Sequence, residues 1–292
     1  MDPNPPAEKR VRFGIAGWSY PDWEGIVYPR GLKDQLEYVS RYVDMVEVNS
    51  TFYRPPDERL ASAWLRRTAK KPDFSFSAKI HQDVTHKGSL DPGLVRSFSE
   101  GLAPLVESGK LRHLLAQFRY DFADTPANRD HLARIREAFG GLAEIAVEVR
   151  HVSWQSPAAL AFLEGLGVTV ANLDYPTSRT AFTLRECRVG TNGYFRLHGR
   201  NRAAWFDKRA GRDETYDYLY SPEELEGIAA RAWKLLRSFR SLSVVGNNHF
   251  RGKELANVLE LKALISGEKV DVPEGLLAEY PRLAAIAREG VS

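Results

Sequence analysis

The chain has 292 residues, a formal net charge of +3 and a 43% hydrophobic fraction. That is enough apolar material for one large α/β domain or two small ones, and far from a polycation. Cys187 is the single cysteine, which excludes an intrachain disulfide framework and a cysteine-rich metal site.

Residues 1–10 are Pro-rich and polar, the composition of a disordered segment. No leader peptide and no apolar run long enough to span a bilayer is read, so a cytoplasmic protein without membrane contact is expected. From Val11 the chain alternates. Strand one is expected over Val11–Ser19, a helix over Leu32–Tyr42, and strand two over Met45–Tyr53. A helix from Asp57 to Ala69, strand three over Phe74–Gln82 and a helix from Asp91-Pro92 to Ser108 follow. Strand four is expected over His113–Tyr120, strand five over Ile145–His151 and strand six over Val168–Asp174, with helices at Asn128–Phe139 and Ser156–Leu166. No helical pattern follows strand six. Strand seven is expected over Tyr194–Gly199 and strand eight over Ser243–Phe250. The helix between them opens on the capping box Ser221-Pro222-Glu223-Glu224 and runs to Phe239. Lys253–Ile265 and Pro281–Arg288 complete the helical stretches.

Eight strands in alternation with helices define an α/β chain. The expected fold is a single (β/α)8 TIM-like barrel over residues 11–292, with an irregular connection after strand six. The rival, an open doubly wound sheet, favours wholly apolar central strands. Here the strands turn polar at alternate positions toward their C-terminal ends, the end at which such barrels place their sites.

Those alternate positions supply the candidate site. Glu47, Asn49 and Thr51 come from strand two, and Ser77, Lys79 and His81 from strand three. Strand four brings Gln117 and Arg119, strand five Glu148 and Arg150, strand six Asn172 and Asp174, and strand seven Arg196 and His198. Strand eight offers either Gly246 with Asn248 or Asn247 with His249. Arginine forks suit carboxylate and phosphate oxygens. Glu148, His198, Lys79 and His81 are the candidates for proton transfer or covalent chemistry. Arg196, Arg150, Glu47, Asn49, Asp174, Trp18, Tyr53 and Asn248 are the candidates for holding a ligand. The alternative is a network of mutually neutralising ion pairs filling a polar barrel. No metal site is expected, because no compact ligand spacing exists. No motif names a cofactor or sets an oligomeric state. Residues 200–220 mix basic and aromatic side chains in the manner of a lid or a nucleic-acid contact, with their charge nearly cancelled by Asp207, Asp213, Glu214 and Asp217.

Five motifs together resemble the YecE-like family. They are Phe13-Gly14-Ile15-Ala16-Gly17-Trp18-Ser19-Tyr20, Val46-Glu47-Val48-Asn49-Ser50-Thr51-Phe52-Tyr53, Glu148-Val149-Arg150-His151-Val152-Ser153-Trp154, Arg196-Leu197-His198-Gly199 and Asn247-Asn248-His249-Phe250. The resemblance implies a TIM-barrel-like fold over nearly the whole chain after residue 10 and implies no particular activity. The chain departs from the family's Gln-Phe-Pro-Pro with Gln117-Phe118-Arg119-Tyr120, which sets Arg119 apart from any shared site.

Three functions fit these residues. The first is an enzyme acting on a phosphate-bearing substrate, including a nucleotide or nucleic acid. The second is a non-catalytic binder of a small anionic or sugar-like ligand. The third is an isomerase or lyase on a small carboxylated sugar.

Overall fold

The structure is a computed structural model that describes residues 11–289. The disordered segment expected over residues 1–10 lies outside the described residues. Nine strand segments are present: β1 (Val11–Ala16), β2 (Met45–Val48), β3 (Ser75–Lys79), β4 (Leu111–Gln117), β5 (Glu144–Glu148), β6 (Thr169–Val170), β7 (Asn172–Asp174), β8 (Gly193–Leu197) and β9 (Leu242–Gly246). They form one sheet in the order β6-β5-β4-β3-β2-β1-β9-β8-β7. The ladders between β1 and β9, β3 and β4, β4 and β5, and β5 and β6 are all parallel. Only Ala171 separates β6 from β7, so the expected strand six exists in two pieces, one at each end of the sheet order. Nine segments thus occupy the eight strand positions of the (β/α)8 pattern.

The helices are α1 (Gln35–Val39), α2 (Glu58–Arg67), α3 (Gln82–Thr85), α4 (Pro92–Glu107), α5 (Pro126–Phe139), α6 (Pro157–Gly165), α7 (Arg202–Phe206), α8 (Arg212–Thr215), α9 (Pro222–Leu236), α10 (Lys253–Ser266) and α11 (Glu274–Glu279). Their starts follow the expected chemistry. Asp57, Asp91 and Ser156 accept from the third residue of their helices, and Pro92 and Pro157 sit at the first helical position, where no backbone donor is needed. Ser221 and Glu224 close the expected capping box on α9. That helix buries Leu225, Ile228, Ala229, Ala232, Leu235 and Leu236, an apolar stripe at helical spacing.

Three expectations need correcting. Strands stop two to five residues early: β2 at Val48, β3 at Lys79, β8 at Leu197 and β9 at Gly246. Asn49 has already turned helical (φ −83°, ψ −24°), and Gly199 turns at φ +82°. Alternation by twos therefore ends before Asn49, His81, His198 and the Asn247–His249 run. The helix expected over Leu32–Tyr42 shrinks to α1, capped by Asp34, and that over Pro281–Arg288 is a 3-10 turn over Pro281–Ala285.

The chain divides into two compact units. Among the described residues, the first comprises 11–46, Leu173–Pro176 and 195–289, and the second Glu47–Asn172 and Thr177–Tyr194. In the second, residues 177–192 replace the helix missing after strand six with an extended return. Val152 and Phe182 donate to Thr180 O and Arg150 O, and Val170 donates to Val189 O. Asn172 holds the return as a strand would: its Nδ2 donates to Cys187 O and its Oδ1 accepts from Cys187 N, both at 2.9 Å.

Candidate functional site

In the first unit, β8 and β9 end side by side, and Asn247 N donates to Leu197 O at 2.8 Å. Arg196, the penultimate residue of β8, is fully buried and donates from Nη2 to Asn247 Oδ1 at 3.0 Å. A guanidinium can only donate, which orients the amide: oxygen to Arg196, nitrogen to His198. Asn247 Nδ2 stands 3.0 Å from His198 Nδ1, so Nδ1 accepts and a neutral ring carries its proton on Nε2. Arg196 Nη1 lies 3.5 Å from that Nε2, and with a proton on each nitrogen the contact is not a hydrogen bond. His198 is also fully buried, and its backbone N–H donates to Asp174 O.

Three aromatic rings surround this imidazole: Tyr175 just after β7, Trp205 on α7 and Tyr216 just after α8. Their centroids lie 6.3, 5.8 and 6.4 Å from it. His249 stacks on Tyr20 at 4.5 Å with 9° between planes and meets Tyr216 at 5.5 Å. Burial, helped by Arg212 and opposed by Asp213 and Asp22, pushes the His249 imidazole down to about 4.

Asp174 is committed elsewhere. Arg200 donates to both its oxygens, from Nε at 2.8 Å and Nη2 at 2.7 Å, and the Tyr220 hydroxyl adds a third bond at 2.9 Å. Arg200 also reaches Glu224 at 2.9 Å. The hydrogen bonds that Arg200 donates to Asp174 raise its guanidinium, and burial beside Asp174 raises the Tyr220 phenol. Gly199 makes this possible, because a Cβ there would stand 2.7 Å from that of Tyr218, and its N–H bonds Tyr220 Oη. Asn248 is buried with its Nδ2 on Tyr218 O, so it straps the loop. Of the two registers open for strand eight, the one with Asn247 and His249 joins the Arg196 and His198 cluster. Trp18 is half-buried, and its carbonyl accepts from Tyr28 Oη.

The second unit holds the remaining candidates. Glu47 is fully buried and accepts at 2.8 Å from Tyr194 Oη, which also bonds Ser77 Oγ at 2.7 Å. One oxygen of the buried Glu148 accepts from Arg150 Nε at 2.9 Å and Nη2 at 2.6 Å, the ion pair that was the alternative to a base. Lys79 Nζ stands 4.4 Å over the Phe52 ring. His81 caps α3: its Nδ1 accepts from Asp83 N, and its Nε2 lies 3.1 Å from Tyr53 O. Both ring nitrogens thus hold backbone. Asn49 precedes the 3-10 turn over Ser50–Phe52 without a side-chain capping bond, and Tyr53, 67% exposed, closes it. Arg119 pairs with Asp121 at the surface.

Reading by alternation brought Arg196 and His198 to the centre. It missed Asn247 as the bridge, Arg200 and Tyr220 as the clamp on Asp174, and the rings of Tyr20, Tyr175 and Tyr216. The Asn247-Asn248-His249-Phe250 motif was the one signal for the first of these. Among the described residues, no group of three or more His, Cys, Asp or Glu is placed to hold a metal. No helix among them is long and apolar enough to cross a membrane.

Strand order and alternation define an α/β protein of the TIM-like barrel class. The model of a family described as protein of unknown function DUF72 matches residues 12–281, and the chain belongs to that family. A DUF72 family protein of Thermotoga maritima with a known crystal structure is 33% identical. The match covers 88% of this chain and 99% of that one, at a TM-score of 0.77. A DUF72 family protein of Enterococcus faecalis is 24% identical over 90% of this chain and 98% of that one, at a TM-score of 0.76. A D-allulose 3-epimerase of Methylomonas sp. shares the fold at 13% identity and a TM-score of 0.50, over 85% of this chain and 96% of that one. No curated protein matches.

Proposed function

We propose that this protein is an enzyme that moves protons on a phosphate-bearing substrate at the Arg196–Asn247–His198 group. The observation that carries the reading is the bonding order of that group: a guanidinium orients an amide, and the amide fixes the tautomer of an imidazole. A fixed Nε2–H, 3.5 Å from a cationic fork, is built to donate to an oxygen that gains negative charge during reaction. Arg196 supplies the charge for the anionic part of the substrate, and His198 stands nearer the reacting atom. His198 is buried against the rings of Trp205 and Tyr216, so the 201–219 loop acts as a lid which lifts to admit the substrate.

Glu148 is the less suited proton carrier, since Arg150 already occupies one of its oxygens. A second reading, a binder of a sugar-like ligand without turnover, draws on the rings of Tyr175, Trp205 and Tyr216, which suit the apolar face of a sugar. A nucleic-acid substrate would use the basic side chains of the same loop and would show a strong salt slope in binding.

The test is calorimetric titration with inorganic phosphate and glucose 6-phosphate, beside thermal melting, of the wild type, Arg196→Ala and His198→Gln. Arg196→Ala should abolish binding of both ligands by the folded protein. His198→Gln should bind within threefold of wild type, and should lower turnover by about two to four orders of magnitude once a substrate is found. Variants that melt earlier yet bind as the wild type does would return the group to a purely structural role.

A further inference from the structure

One buried imidazole near this group is not used by the proposed reaction. His249 is 5% exposed, and its Nδ1 has no hydrogen-bond partner. Leaving a buried polar atom unsatisfied is costly, a cost that phenylalanine would avoid while packing the same faces. The chain nevertheless holds this ring with care. Tyr20 lies flat against it, anchored through its hydroxyl to Ala16 O. Gly17 clears the space for Tyr20, because a Cβ at residue 17, where φ is +97°, would stand 2.6 Å from the Tyr20 hydroxyl. Trp23, fully buried, donates from Nε1 to His249 O at 2.8 Å. Two residues on, Arg251 adopts φ 52°, the one positive φ outside glycine among the described residues. Asp22 accepts its N–H at 2.6 Å, and Tyr280 bonds its carbonyl at 2.8 Å. Strained backbone held by surrounding bonds is found where a side chain must be aimed. The Gly17-Trp18-Ser19-Tyr20 motif just after β1 and His249 just after β9 thus form one device.

The opposite neighbour of His249 is Tyr216, the ring that also touches His198. In the proposed reading, lifting the loop that carries Tyr216 uncovers both imidazoles together. We infer that His249 is a specificity residue, whose uncharged ring accepts a hydrogen bond from a hydroxyl of the sugar portion of a sugar phosphate. The inference rests on the proposed reading for the phosphate portion, which Arg196 holds. Burial keeps the ring neutral above about pH 4, as an acceptor requires.

The experiment separates the two portions. Inorganic phosphate, glucose 6-phosphate and glucose are titrated into the wild type, His249→Phe and His249→Gln. The expected result is that the wild type binds glucose 6-phosphate at least tenfold more tightly than phosphate. His249→Phe keeps the stack on Tyr20 and should lose about tenfold for glucose 6-phosphate, with phosphate unchanged. His249→Gln, which retains an acceptor, should recover part of that loss. A wild type that binds glucose but no phosphate, with glucose lost in His249→Phe, would refute the phosphate reading and keep the role of His249. Equal affinity of wild type and His249→Phe for glucose 6-phosphate would refute the inference alone. A wild type that binds none of the three would refute both.

Discussion

Asp174 shows how a side chain predicted for a ligand can be occupied by the protein. Its three hydrogen bonds come from Arg200 and Tyr220, and Arg200 is itself shared with Glu224. Breaking a buried pair by removing one partner costs about 3–5 kcal/mol when both are sequestered. Arg200 is 32% exposed, so Asp174→Ala should cost less, about 2–3 kcal/mol in urea unfolding. A change under 0.5 kcal/mol would mean that the clamp contributes nothing to folding. Alternation reached Asp174 and Arg196 because both lie within strands, and His198 because it stands one residue past the end of β8. It could not choose between Asn247 and Asn248, since β9 stops at Gly246 and the pleat no longer dictates direction. Nor could it pair Asp174 with Arg200, because that bond depends on the left-handed turn at Gly199.

At the scale of elements, the return over residues 177–192 is the feature the sequence announced only by lacking a helix. Propensity reports what a segment does not form, whereas this segment is held by long-range bonds, those of the Asn172 side chain among them. Asn172 is fully buried and satisfies both backbone groups of Cys187. Asn172→Leu keeps the volume and leaves those groups unpaired, which should cost about 2–4 kcal/mol and open residues 177–192 to protease before the rest of the chain. Cleavage elsewhere first would show that the return is held by other bonds. The helix starts were legible because capping is local: Ser221→Ala should remove about 1 kcal/mol from α9, measured by chemical denaturation.

For the whole molecule, buried imidazoles set the response to acid. Burial lowers both His249 and His113, the latter with its Nε2 on Asn192 O. The unfolded chain takes up a proton at each near pH 6.5, whereas folded His249 does so only near 4. Stability is therefore complete above pH 6.5 and falls as pH drops toward 4, by up to about 3 kcal/mol for His249. Glu144 acts in the same sense at lower pH. Burial would raise it, yet bonds from Thr169 and Asn192 hold it below the usual carboxylate range, so its contribution disappears as acid protonates it. Melting temperatures between pH 7 and 4 should fall less steeply in His249→Phe than in the wild type, and parallel curves would contradict this assignment. The fold class itself was legible because eight strands and their helices each announce a periodicity. The break at Ala171 was not, because nothing in the local sequence Val170-Ala171-Asn172 marks a strand end.

Cys187 gives that return a built-in reporter. It is the only thiol in the chain, it is 1% exposed, and burial raises it above the ordinary thiol range. A reagent can reach the sulfur only when the bonds from Asn172 open, so the rate of labelling in native buffer counts those openings directly. The ratio of that rate to the rate for the unfolded chain gives the free energy of opening one sixteen-residue stretch, without any added probe. Comparison with the free energy of global unfolding then tells whether this stretch moves alone or only when the whole molecule comes apart.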